Sequence, residues 1–292
     1  MREPTVRTTL RGKGVTVTIG GGGPTVLIGE RINPTGKKRL AAALQEGDLS
    51  LVREEAVAQV QAGADIIDVN VGAAGVDEVA LLPRAVRTVV EAVDVPISID
   101  TANPDALAAA LEELRRAAPG SKPLVNSVNG EERSLGRVLP LVKAHGAAVI
   151  ALCMGDKGIP QDAEGRVAVA RAILERATGL GIPQEDVLVD CLALTVGADH
   201  RAGLVTLGAI ERVNREFRVN QTLGASNVSF GMPERDLLTG ALLTMAVAAG
   251  VTCPIVDVAK VRPFILAADL LLGVDEYGMR YIRAFRQRQQ RG

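Results

Sequence analysis

Short apolar runs rich in β-branched residues recur along the chain, and nearly every one ends in a carboxylate or a carboxamide. TVLIGE ends at Glu30, ADIIDVN at Asn70, VPISID at Asp100, KPLVN at Asn126, DVLVD at Asp190, TLGASN at Asn227 and CPIVD at Asp257. AAVIALC lies between Asn126 and Asp190 and leads into Met154-Gly155-Asp156. Continuous apolar runs, rather than alternating ones, mark parallel strands covered on both faces. Successive ends are spaced by roughly the 30 residues that a strand, a crossover helix and the next strand require. The gaps carry apolar residues at three- and four-residue spacing over 51–61, 81–93, 104–117, 135–144, 167–177, 206–213 and 237–248. That spacing predicts helices with one buried face. Asn103-Pro104 and Met232-Pro233 read as helix starts, because proline suits the first helical turn. The whole predicts an α/β fold, a (β/α)8 TIM barrel with its site at the carboxyl ends of the strands.

Residues 5–19 alternate polar and apolar around Gly-Lys-Gly, which predicts an N-terminal β-hairpin lying over the closed bottom of the barrel. The glycine run from Gly20 precedes a strand and opens no helix, so it reads as a linker and not as a phosphate loop. Residues 259–272 read as the eighth helix and 275–291 as a charged helical extension. The expected division is a hairpin and linker over 1–24, a barrel over 25–275 and a charged C-terminal tail over 276–292.

Composition narrows the function classes. A single barrel needs about 250 residues, and this chain has 292. With hydrophobic residues at 47% but aromatics at 2%, its core is built from Val, Ile, Leu and Ala. A net charge of −1 offers nucleic acid no general attraction. No apolar run approaches the roughly 20 residues that span a bilayer, and no signal-peptide pattern opens the chain, so a cytoplasmic protein without a membrane partner is expected. Cys153, Cys191 and Cys253 are too few and too scattered for a disulfide framework or a zinc site, and no metal centre is expected. His145 and His200 read as a helix-surface and a helix-start residue.

The candidate chemistry sits at the strand ends. The loop Gly29-Glu30-Arg31-Ile32-Asn33-Pro34 reads equally as a functional loop and as an ion pair followed by a turn. Asp100 and Asp190 can accept hydrogen bonds from the amino and ring N–H groups of a flat heterocycle, or each can cap the next helix. Asn126 and Asn227 both donate and accept, which suits a ring with mixed edges. Two acids and two amides at equivalent heights favour convergence on one ligand. Small residues around Asn227, Gly224 among them, would let it approach the backbone closely.

The segments IGERIN (28–33), DVNVG (68–72), SIDT (98–101), VNSVNGE (125–131), MGDKGIP (154–160), LVD (188–190) and GASNVSFG (224–231) resemble, in order, those of the pterin-binding methyltetrahydrofolate:corrinoid-protein methyltransferases. That family is related to the folate domain of cobalamin-dependent methionine synthase and to dihydropteroate synthase. The resemblance spans about residues 25–275. It implies movement of the N5-methyl group between 5-methyltetrahydrofolate and the cob(I)alamin of a separate corrinoid protein, by a homodimer. It implies that Asp100, Asn126 and Asp190 hydrogen-bond the pterin, with Asp100, Asp190 and Asn227 carrying catalysis and Asn227 reaching toward N5. Glu30 and Asn33 would line the pocket, Gly224 and Ser229 would flank Asn227, and Arg235 would approach the p-aminobenzoyl-glutamate tail. One departure is Cys191 after Asp190, where the family often has proline. A dihydropteroate synthase would carry Asn-x-Thr-Pro-Asp-Ser-Phe in its first loop and a late Ser-Arg-Lys-type anion site; both are missing here, so that reading ranks below methyl transfer. A non-catalytic folate-binding subunit is a third reading, distinguished by absence of transfer.

Overall fold

The computed structural model describes residues 5–290; residues 1–4 of the hairpin segment and 291–292 of the tail lie outside the described residues. The chain opens with an antiparallel pair, β1 (Arg7–Arg11) and β2 (Thr16–Gly20). The first half of the barrel is β3 (Ile28–Ile32), α1 (Lys38–Gln45), α2 (Ser50–Ala62), β4 (Ile66–Val69), α3 (Glu78–Ala92), β5 (Ile97–Asp100), α4 (Pro104–Ala117), β6 (Leu124–Asn129) and α5 (Glu132–His145). The second half is β7 (Ala148–Leu152), α6 (Ala163–Gly179), β8 (Val187–Asp190), α7 (Ala202–Phe217), β9 (Gln221–Thr222), α8 (Arg235–Ala249), β10 (Ile255–Val256), α9 (Val258–Leu271) and α10 (Met279–Gln289). Eight strands form one sheet in the order β10-β3-β4-β5-β6-β7-β8-β9, all pairs parallel. Backbone bonds from Cys253 N to Gln221 O and from Ile255 N to Leu223 O, each 3.0 Å, join β10 to β9 and close the ring. The expected barrel and hairpin are both present.

The period of two along each strand sorts its residues into two cores. Ile67, Val69, Ile97, Ile99, Val125, Val149, Val187 and Val189 face outward into the helix layer. Ile28, Ile66, Leu124, Ile150, Leu188 and Ile255 face inward and gather around Leu10 and Ile19 of the hairpin. Leu10 and Ile19 are fully buried, so the hairpin is the floor of the barrel; each such side chain stabilises by about 1.5–3 kcal/mol. Asn220, just before β9, fastens this floor: its amide donates to Val6 O (3.1 Å), Thr8 Oγ1 (2.9 Å) and Ile19 O (3.1 Å), and its oxygen accepts from Thr5 Oγ1 (2.7 Å).

Helix α4 has the expected bounds, because Asn103 Oδ1 accepts from Asp105 N at 3.0 Å and Pro104 occupies its first turn. The proline rule fails at Pro233. Glu234 adopts φ +46° and α8 starts only at Arg235, since Met232 N closes a turn on Ser229 O at 3.0 Å first. Helix α1 was not expected, although Leu40 and Leu44 sit one turn apart and are buried. The C-terminal extension breaks at Tyr277 (φ +54°) before α10 begins. Asp269, fully buried on α9, accepts from Thr25 N (3.0 Å), Thr25 Oγ1 (2.7 Å) and Arg280 Nη1 (2.8 Å), which ties α10 to the barrel floor beside β3. Among the described residues, no helix is long and apolar enough to cross a membrane.

Candidate active site

One inward step beyond Ile28, Ile66, Leu124, Leu188 and Ile255 lie Glu30, Asp68, Asn126, Asp190 and Asp257. Asp100 joins them, because Ile97 and Ile99 face outward on β5. The hairpin fills the opposite end, so these groups line the mouth of the barrel at the carboxyl ends of its strands. Asp100 and Asn126 are register partners on neighbouring strands; Asp190 pairs with Leu152 on one side and Thr222 on the other.

The lining is internally bonded. Asn70 Nδ2 donates to Asp100 Oδ2 at 2.9 Å, and Asn126 Nδ2 donates to Asp68 Oδ1 at 3.2 Å. Asp190 accepts from Leu192 N at 2.7 Å and from Gly224 N at 3.3 Å. It therefore spans the loop after β8 and the end of the next strand and caps no helix. Burial dominates the electrostatics. It pushes Glu30 up to about 7, opposed by Lys37 and reinforced by Asp257. It pushes Asp190 to about 6, and Asp100 to about 6 despite the Asn70 hydrogen bond. Asp68 is raised well above the carboxylate range by burial and then by the Asp100 charge beside it. A carboxyl with few cations, in a place water hardly reaches, holds its proton to a higher pH than an exposed one does.

Asn227 sits differently from the expectation. Strand β9 ends at Thr222, and Asn227 lies on a short 3-10 turn over Ala225–Ser229. It is exposed at the rim, and no described residue hydrogen-bonds its side-chain amide, leaving both donor and acceptor for a ligand. Ser226 beside it lies near enough to Glu30 to offset part of the burial that raises this carboxyl. Ser229 is buried and engaged: its hydroxyl donates to Ser226 O (3.1 Å), shares a bond with Thr239 (3.0 Å) and accepts from Arg235 Nε (3.3 Å). Arg235 Nη2 also donates to Ser226 O at 3.0 Å, and its guanidinium lies 5.9 Å from the Phe230 ring centre. Ser229 and Arg235 thus hold the turn that presents Asn227. A Cβ on Gly224 would meet only Asn227 Nδ2 at 3.7 Å, an ordinary contact, so protein packing does not demand glycine there.

In the first loop, Asn33 Oδ1 accepts from Thr35 N at 2.9 Å, the turn chemistry that its sequence allowed. Arg31 is held by Glu55 at 2.9 Å and Asp257 at 3.4 Å. Cys153 and Cys191 are buried neighbours on adjacent strand ends; their mutual hydrogen bond and burial raise the Cys191 thiol. Behind them Arg166, only 1% exposed, donates to Pro160 O (3.0 Å), Cys191 O (2.9 Å) and Leu192 O (2.7 Å), stitching the β7 and β8 loops together. Sequence alone marks Asp257 only as a strand end and gives no site role to it, to Asp68 or to Ser226. The signal for Asp68 was its inward position two residues after Ile66, hidden inside the run IIDV.

Residues 29–257 match the pterin binding enzyme family. The chain is 31% identical to the methylcorrinoid:tetrahydrofolate methyltransferase of Eubacterium limosum over 90% of its own length and 96% of that protein. It is also 31% identical to methionine synthase of Mycobacterium tuberculosis, covering 82% of this chain but 21% of that larger protein. Among solved structures it resembles dihydropteroate synthase from Xanthomonas albilineans (TM-score 0.70, 19% identity, 92% of this chain and 100% of that one). A Yersinia pestis dihydropteroate synthase with a pterine-sulfa conjugate gives TM-score 0.67 at 19% identity, over 91% of this chain and 100% of that one. At such identity the structural likeness speaks for the fold alone. With a family match that covers most of the barrel, the chain belongs to the pterin binding enzyme family.

Proposed function

We propose that the protein moves the N5-methyl group between 5-methyltetrahydrofolate and the cobalamin of a separate corrinoid protein that docks at the barrel mouth. We further propose that it acts as a homodimer in the cytoplasm. The observation that carries this reading is the juxtaposition of Asp100, Asn126 and Asp190 in one polar mouth beneath the unengaged amide of Asn227. The similarity to the methylcorrinoid:tetrahydrofolate methyltransferase, over nearly the whole of both chains, supports the same reading.

A pterin presents N–H donors along one edge, and Asp100 and Asp190, once ionised, are acceptors for them. Asn126 can serve an edge that both donates and accepts. Donation to a buried carboxylate stabilises its charged form, so binding the ring and ionising the two acids reinforce each other. The bound corrinoid supplies the nucleophile, a cobalt(I) centre that attacks the methyl carbon in line. The protein's own work is to fix the pterin and to offer hydrogen bonds that strengthen as N5 changes charge. The unengaged Asn227 amide suits that task, since it can accept from N5–H or donate to an N5 lone pair.

Loss of the cob(I)alamin spectrum on adding 5-methyltetrahydrofolate and this protein is the direct test; no loss would leave only a folate-binding role. Asn227→Ala is expected to lower the transfer rate by roughly 10²-fold while folate affinity stays near that of the wild type. An equal fall in both would make Asn227 a binding group only. A dihydropteroate synthase activity has less support, because Arg235, which opens α8 beside the Asn227 turn, is already committed to Ser226 and Ser229.

A further inference from the structure

We propose that Glu30, set by strand register between Asp68 and Asp257 at the barrel mouth beside the Asn227 turn, is the acid that delivers the proton N5 takes up as its methyl group leaves. The inference rests on the methyl-transfer reading above and identifies a group which that reading leaves unassigned.

Each other inward carboxyl is already committed. Asp100 is bonded by Asn70, and Asp190 by two backbone N–H groups. In the proposed complex both must be ionised to accept from the pterin. Asp68 lies beneath Asp100 and Asn126, where burial and the Asp100 charge hold its proton in place. Asp257 is paired with Arg31. Asn227 is a neutral amide and has no proton to give at neutral pH.

Glu30 differs in its surroundings. Asp68 faces it from β4, Asp257 from the end of β10 and Ser226 from the 3-10 turn, with Arg31 and Lys37 on its own segment. Neither cation pairs with it closely. Arg31 is held by Glu55 and Asp257, and Lys37 Nζ donates to Arg31 O at 2.7 Å. Flanking acids and burial therefore outweigh the cations and hold the Glu30 carboxyl near 7, where an acid both gives and regains a proton readily. Ser226, which faces Glu30, precedes Asn227 directly, so its hydroxyl offers a route from Glu30 toward the rim where N5 would sit.

The step balances as follows. The N5–CH3 bond breaks and its electron pair stays on N5. N5 takes the Glu30 proton through the Ser226 hydroxyl, which receives one proton as it passes one on. The methyl carbon bonds to the cobalt of the partner corrinoid, which supplies the electron pair and rises from cobalt(I) to cobalt(III). The Glu30 carboxylate regains its proton from water at the mouth. In the reverse direction Glu30 accepts the proton of tetrahydrofolate N5–H.

The test uses the full chain, 5-methyltetrahydrofolate and cob(I)alamin, with single-turnover rates followed on both sides of pH 7. The wild-type rate is expected to fall as pH rises through about 7, as Glu30 loses its proton. Glu30→Gln should slow transfer on the order of 10²- to 10³-fold and abolish that pH dependence. Its affinity for 5-methyltetrahydrofolate, measured by equilibrium dialysis, should remain. Ser226→Ala should slow transfer without shifting the profile, and Glu30→Asp should recover part of the rate. Infrared titration of the free protein gives a readout independent of turnover: a protonated carboxyl band that titrates near 7 and disappears in Glu30→Gln. A wild-type rate and profile in Glu30→Gln, or parallel loss of affinity and rate, overturns the proposal. A wild-type protein that transfers no methyl overturns the methyl-transfer reading instead, and with it the role assigned to Glu30.

Discussion

Replacing Asp190 by asparagine should stabilise the protein while weakening its grip on folate. The carboxyl is 3% exposed, and burial lifts it from an ordinary value of 3.8 to about 6. Keeping it ionised in the folded state at pH 8 therefore costs about 3 kcal/mol relative to the unfolded chain. Asparagine removes that cost. It also loses one of the two backbone donors now satisfied, at Leu192 or Gly224, worth about 1 kcal/mol. The expected net gain is about 2 kcal/mol at pH 8. The pH dependence follows from the raised value: the unfolded chain releases this proton first, so wild-type stability declines as pH climbs from 3.8 toward 6 and levels above it. The advantage of the variant should grow over that window and stay constant beyond it. Urea denaturation at pH 5 and pH 8 measures both, and equilibrium dialysis should show folate affinity down by about 10²-fold from a lost charged acceptor. A variant less stable than wild type at pH 8, or one whose stability difference ignores pH, would refute the claim that a strained charge is stored at this position.

Four further outcomes are expected. Wild-type affinity for folate should fall as pH drops below about 6, when Asp100 and Asp190 regain their protons; a flat dialysis profile from pH 5 to 8 would contradict their role as acceptors. Asp68→Asn mimics an acid that is already protonated and keeps an oxygen for Asn126, so its folate affinity should match wild type, whereas a large loss would mean Asp68 acts as a carboxylate. Leu10→Ala opens a void under the inner core and should cost about 2–5 kcal/mol in urea denaturation. Asn103→Ala removes the cap of α4 and should cost about 1 kcal/mol, read as a small drop in melting temperature.

The barrel was legible because buried parallel strands write themselves as apolar runs at crossover spacing, and each of the eight runs picked out overlaps one barrel strand. The floor was legible too, since alternation around Gly-Lys-Gly can make little except a hairpin. The strand ends were harder to read. The run ending TLGASN reads as one strand to Asn227, yet β9 stops at Thr222 because Gly224 N turns to Asp190 and the chain coils into a 3-10 turn. Asp68 was overlooked for the opposite reason: it stands inside an apolar run, and only the inward phase set by Ile66 shows that it faces the mouth. Ser229 and Arg235 were singled out by the motif, but a linear pattern cannot tell a ligand-facing hydroxyl from one that ties down a turn. Pro233 shows the same limit, because the left-handed Glu234 after it delays the helix.

With Leu10 and Ile19 sealing one end, the barrel has a single doorway. On the proposed methyl-transfer reading, folate and the corrinoid would share it, so whichever binds deeper would arrive first and depart last. The pterin, proposed to sit among Asp100, Asn126 and Asp190, would be the deeper guest. Tetrahydrofolate release then waits for the corrinoid protein to lift away, and an excess of that partner should slow turnover by trapping spent folate beneath it.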